Sequence, residues 1–139
     1  MSTLVSSFQY GEIHLHRDIG VLELRWLPAT RSMTDEDFNS GLRHLADQAE
    51  ALGASLLLVD TAEFLHQFED HRGTMQRRDE EIVPRYNASE TSKFAFVFGE
   101  DFEESVERGV APAAEGPAAF PTGRFNSRDA AFEWLAASP

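Results

Sequence analysis

The run SLLLVDT at residues 55–61 sets the tightest limit on what this chain folds into. Leu56, Leu57, Leu58 and Val59 follow one another without polar alternation, so a strand here is covered on both faces, as central parallel strands are. Asp60 and Thr61 then stand at its carboxyl end. Open α/β sheets bind ligands in the crevice outside such ends, which makes this the first address for function.

The residues before the run are patterned as a helix. Thr34 is suited to cap it, Asp35, Glu36 and Asp37 complement its positive end, and Asp37 occupies the acidic position of a capping box. Phe38, Leu42, Leu45, Ala49 and Leu52 recur at offsets of four and three and draw one apolar stripe. Gly53 closes the helix as a left-handed cap. Further upstream, residues 8–16 and 20–27 alternate with a period of two around the turn Arg17-Asp18-Ile19-Gly20, as an antiparallel hairpin does, and Pro28 ends the second strand. Hairpin, helix and buried strand in this order give an α/β domain with a crossover unit.

Downstream the pattern is thinner. Part of 74–83 is expected to be helical and to end at Pro84. KFAFVF at 93–98 is a second buried-type strand, 100–107 a short exposed helix, and GVAPAAEGPAA at 109–119 a flexible loop. A short strand is expected near 122–125, and then a final helix that Asn126 or Ser127 caps, with Phe125 stapling its entry.

A length of 139 residues suits one domain over 1–139. The chain has no cysteine, which excludes disulfides, thiolate metal sites and a Cys nucleophile. Its 24 acidic against 12 basic side chains give a net charge of −12, which repels phosphate backbones and anionic lipid, so no nucleic-acid partner is expected. No stretch is long and apolar enough to span a membrane, and MSTLVSSFQYGEI lacks a basic segment leading into an apolar core. The expectation is a cytoplasmic protein.

Chemistry-bearing motifs are scarce. His66 and His71 flank Glu69 and Asp70, but a separation of five turns two helical residues to different faces, against a metal site. His14 and His16 share a strand face with Glu12 and read as a half-exposed polar face. There is no Gly-x-Ser-x-Gly elbow, Walker loop or dinucleotide fingerprint. Arg72, Arg77, Arg78 and Arg85 with Lys93 form the one cationic concentration, suited to a small anion or an acidic partner, or to neutralising Asp70, Asp79, Glu80 and Glu81.

Several segments in order resemble the SpoIIAA-like branch of the STAS superfamily, also described as STAS/SEC14-like. They are GVLELRWL at 20–27, the helix from Thr34, SLLLVDT at 55–61, IVPRYN at 82–87, KFAFVF at 93–98 and RFNSRDAAFEWL at 124–135. The resemblance implies a single-domain open mixed sheet of four or five strands, with helices packed mainly on one face. It also implies a non-enzymatic binding or regulatory role. Classical antagonists of that family are phosphorylated on a Ser in an Asp-Ser-Ser-Gly-like motif after the central strand. The corresponding segment here is Asp60-Thr61-Ala62-Glu63-Phe64, which leaves Thr61 as the nearby hydroxyl for such a modification.

The expected site is therefore a crevice at the end of strand 56–60, with Asp60, Thr61, Phe64, Phe68, Arg72, Arg85 and Tyr86 as candidate binding residues for a protein partner or a small ligand. Catalytic residues, metal and cofactor are not expected. Carriage of a lipid or other apolar ligand is the alternative, suggested by the Phe-rich strand, and a hydrolase using His66 or His71 is a more distant one. An open sheet edge also suits a homodimer.

Overall fold

The computed structural model describes residues 2–89, 91–98 and 120–137. Its strands are β1 (Ser2–Phe8), β2 (Gly11–His16), β3 (Val21–Trp26), β4 (Leu56–Asp60), β5 (Lys93–Val97) and β6 (Thr122–Phe125). They form one sheet in that spatial order. β1 to β3 are antiparallel neighbours, and β3 to β6 run parallel. Between them lie a 3-10 turn (Pro28–Ser32), α1 (Asp35–Leu52), α2 (His71–Arg77), a π-helical segment (Arg78–Ile82), α3 (Val83–Asn87) and, after β6, α4 (Arg128–Ala136).

The apolar run does what its composition requires. Leu57 and Val59 lie with Ile13, Leu22, Leu24 and Trp26 of the hairpin against Phe38, Leu42 and Leu45 of α1. Leu58, on the opposite face, joins Val21, Ala95 and Val97 against Ala131 and Leu135 of α4. With β4 hydrogen-bonded to β3 and β5, it is covered on both faces and at both edges. Helices therefore pack on both sides of the sheet, with α1 and α3 on one and, among the described residues, α4 on the other.

The caps of α1 match the sequence reading. Thr34 Oγ1 accepts from Asp37 N, Asp37 returns the bond to Thr34 N, and Gly53 takes a left-handed φ of 66°. Ser127 caps α4 through Ala130 N, and Phe125 meets Trp134 with ring centroids 5.6 Å apart.

Four features differ from the sequence expectation. Among the described residues the sheet has six strands rather than four or five, because residues 2–8 form an additional edge strand, and the expected strand at 8–16 starts only at Gly11. Serine-rich STLVSSF has no clear alternation, and its pairing with β2 is irregular between Leu4 and Ser6. Pro84 does not end a helix but lies in the first turn of α3, where a missing N–H costs nothing. The π-helical segment before it resets the hydrogen-bonding frame. Leu52, expected on the buried stripe, is 45% exposed at the last position of α1. The expected helix at 100–107 and loop at 109–119 lie outside the described residues. No helix among the described residues is long and apolar enough to cross a membrane.

Candidate binding site

Beyond the carboxyl ends of β3 and β4, on the α1 side, aromatic rings form a continuous layer. Trp26 ends β3 and stacks on Phe38 from the first turns of α1, with centroids 5.9 Å apart and planes 15° apart. Phe64 meets the edge of Trp26 at 5.5 Å, and Phe68 meets Phe38 at 5.1 Å. Phe68 also contacts His66 at 4.7 Å and His71 at 5.3 Å. Phe64 and Phe68 are only partly buried, so the layer has an open side. Leu65 between them is 41% exposed.

Local chemistry on α1 and the 3-10 turn holds residues 61–70 over this layer. The buried Thr30 hydroxyl donates to Leu27 O and accepts from Leu65 N at 2.8 Å. Asp35, the first residue of α1, accepts from His66 Nε2 at 2.8 Å, Glu69 N at 3.1 Å, Asp70 N at 2.8 Å and Thr74 Oγ1 at 3.1 Å. Partial burial pushes its carboxyl pKa up, but these donors outweigh that and hold it below the usual Asp value. Asp70 then caps α2 by accepting from Gly73 N at 3.0 Å. The acidic cluster at the start of α1 is thus more than a dipole complement: one carboxylate fixes residues 66, 69 and 70 on either side of Phe68, while Thr30 holds Leu65 next to Phe64.

A second polar cluster lies across the sheet, beneath α4. Glu23 of β3 is fully buried and accepts from His16 Nε2 at 2.8 Å, Arg25 Nη2 at 3.1 Å and both terminal nitrogens of Arg128. Burial alone raises the Glu23 pKa; hydrogen bonds from Arg128, Arg25 and His16 reverse this and bring it down to about 2. Arg128 Nη1 also donates to Asp60 Oδ2, and its guanidinium lies 5.2 Å from the centre of the Phe132 ring. Every charge in this cluster has an internal partner, which suits helix docking rather than ligand capture.

The seven residues expected to share a crevice fall in five places. Phe64 and Phe68 come together in the aromatic layer. Asp60 points to the α4 side, bound to Arg128 and to Ala62 N. Thr61 donates from its hydroxyl to Val97 O at 2.5 Å and from its N–H to the same oxygen at 2.7 Å, so a phosphate on it would break the link to β5. Arg72 is exposed on α2. Arg85 and Tyr86 lie at the other end of the strands: Arg85 clamps Asp47 and Glu50 of α1, while the buried Tyr86 hydroxyl donates to Leu42 O. Burial raises the Tyr86 pKa, and the carboxylates raise that of Arg85.

His66, weighed from sequence as a metal ligand or hydrolytic base, spends its Nε2 on Asp35. Trp26, Phe38, Asn39, Asp35 and Glu23 are not expected at the site from the sequence, in which Phe38 and Asp35 are patterned only as helix residues. A signal existed for Trp26: Gly41 interrupts the helix that faces it, and a Cβ there would come within 2.3 Å of the Trp26 ring. Glu23 looked like the solvent-facing half of an alternating strand, since α4, which covers it, is more than a hundred residues away. No family model, curated protein or solved structure matches the chain.

Proposed function

We propose that this chain is a non-enzymatic binding or regulatory module of the SpoIIAA-like (STAS) type, which takes its ligand or partner at the aromatic layer outside β3 and β4. The observation that carries this reading is the contrast between the two ends of the structure's polar chemistry. Asp60, Thr61, Glu23, Asp35 and Arg85 are engaged by internal partners, whereas the partly open rings of Phe64 and Phe68 form the surface at the strand ends. Partly exposed aromatic rings beside a few fixed polar groups are the usual lining of a small-molecule or side-chain site.

Saturation-transfer NMR with a mixture of small aromatic fragments tests the reading. Signal transfer is expected from the wild-type protein and should be lost in the F64A/F68A double variant, with the fold monitored by circular dichroism. Equal transfer from both proteins would overturn it.

A further inference from the structure

The two edges of the sheet are built differently. β6 is four residues long and carries Gly123 and Arg124, and short, charged edge strands resist pairing with another chain. β1 is seven residues long and contains neither proline nor a charged side chain; each of the other five described strands carries at least one charge. Its inner side pairs with β2, and among the described residues no strand pairs with its outer side. The outward N–H and C=O groups of such a strand are a template for one more strand.

This template is anchored along its second half and bare along its first. The irregularity between Leu4 and Ser6 brings Val5 and Ser6 both to the α1 side, where Val5 packs on the core and Ser6 Oγ shares a hydrogen bond of 2.7 Å with His44 Nε2. Phe8 follows, meeting the Trp26 ring edge-on at 6.0 Å and the His44 ring at 5.4 Å. Ser2, Thr3 and Leu4 are exposed. Leu4 stands opposite His14 on the other face of the sheet and, at 52%, is the most exposed large apolar side chain among the described residues.

Charge selects the occupant. The chain carries a net charge of −12, so two copies repel one another except where the facing surfaces are neutral. Ser2–Leu4 presents no charge to an identical strand, and it offers none by which a charged strand of another protein would be chosen. Antiparallel self-pairing about a two-fold axis also sets the two Leu4 side chains beside each other and withdraws them from water. We propose that β1 is the self-association edge of this protein, joining two copies through Ser2–Leu4 into one continuous sheet. The proposal is independent of the binding reading above, because the aromatic layer lies on the α1 side and Leu4 on the opposite face.

Sedimentation equilibrium over a wide range of protein concentration tests it, together with amide hydrogen exchange at the two ends of that range. A short edge pairing is a small interface, so the mean mass is expected to rise with concentration from one chain toward two, and exchange within Ser2–Leu4 to slow as it does. Leu4→Lys sets like charges beside each other and should weaken association by about tenfold or more. Leu52→Lys, at a comparably exposed position on α1, should leave association unchanged. A dimer that Leu4→Lys leaves intact, or one that forms without slowing exchange within Ser2–Leu4, would overturn the proposal. So would a wild-type mass of one chain at every concentration, with a strand of another protein then the remaining occupant for this edge.

Discussion

Arg128 Nη1 stands 2.6 Å from Asp60 Oδ2 and donates at the same time to the buried carboxylate of Glu23. One guanidinium from α4 thereby joins the carboxyl end of β4 to the interior of β3. Replacing it with an apolar side chain strands Glu23 with only Arg25 and His16 as donors. Arg128→Met should cost about 2–4 kcal/mol in urea unfolding, with the double variant Glu23→Leu/Arg128→Met recovering much of that loss. An Arg128→Met protein as stable as wild type would remove the cluster from any structural role.

The same cluster predicts how stability responds to acid. The Glu23 pKa is about 2 in the folded protein, against 4.5 for the free side chain. A depressed carboxylate pKa stabilises the fold fully above 4.5, and the contribution is lost as pH falls from 4.5 toward 2. Its size is on the order of 3 kcal/mol. Asp35, also lowered, acts in the same direction below its ordinary 3.8. His71 adds an earlier loss: with its folded pKa lowered from 6.5, the unfolded chain takes up the proton first, so stability declines as pH falls through 6.5. Thermal midpoints followed from pH 8 to 3 should fall in these stages. In Glu23→Gln the wild-type and variant curves should converge below pH 4.5.

Gly41 and Gly20 predict opposite mechanisms for the same substitution. At Gly41 an added Cβ meets the Trp26 ring at 2.3 Å, so Gly41→Ala should destabilise by about 1–3 kcal/mol through overpacking and perturb Trp26 fluorescence. At Gly20 nothing lies within 4 Å, but φ is +70°, and Gly20→Ala should cost about 1 kcal/mol by backbone strain alone, without a spectral change.

Asp35 ties down residues 66–74 by bonds to the Glu69 and Asp70 amides and to the His66 and Thr74 side chains. Asp35→Ala should therefore speed hydrogen exchange at Glu69 and Asp70 far more than at Leu57 or Leu58, and lower global stability by about 2 kcal/mol. Uniform exchange across the protein would show that the carboxylate does not fix this segment.

Local patterns in the sequence carried much of the fold. The box Thr34 to Asp37, the cap at Gly53 and the unbroken run in β4 are each decided by neighbours within a few residues, and each appears where its pattern lies. Strand β1 and the π-helical segment were not legible, since one is a serine-rich edge strand and the other a departure from helical period. The candidate site was half legible. Phe64 and Phe68 follow the strand end directly, but Arg85 and Tyr86 belong to a later element that packs at the opposite end of α1. Asp60 and Phe64, four residues apart, separate to opposite faces because a strand alternates its side chains and the chain then turns at Thr61. The pairings of Asp35 with His66 and of Glu23 with Arg128 join residues 31 and 105 apart, beyond any local pattern.

Binding at the aromatic layer between α1, α2 and the strand ends is the proposal on which the functional reading turns. Backbone and side-chain chemical-shift mapping with a mixture of small aromatic fragments addresses it most directly. Shifts are expected to concentrate at Trp26, Phe38, Phe64, Phe68 and His71, with Arg85, Tyr86 and the α4 cluster unmoved. Shifts confined to the Arg85 end or to the outer edge of β1, or none at all, would contradict it.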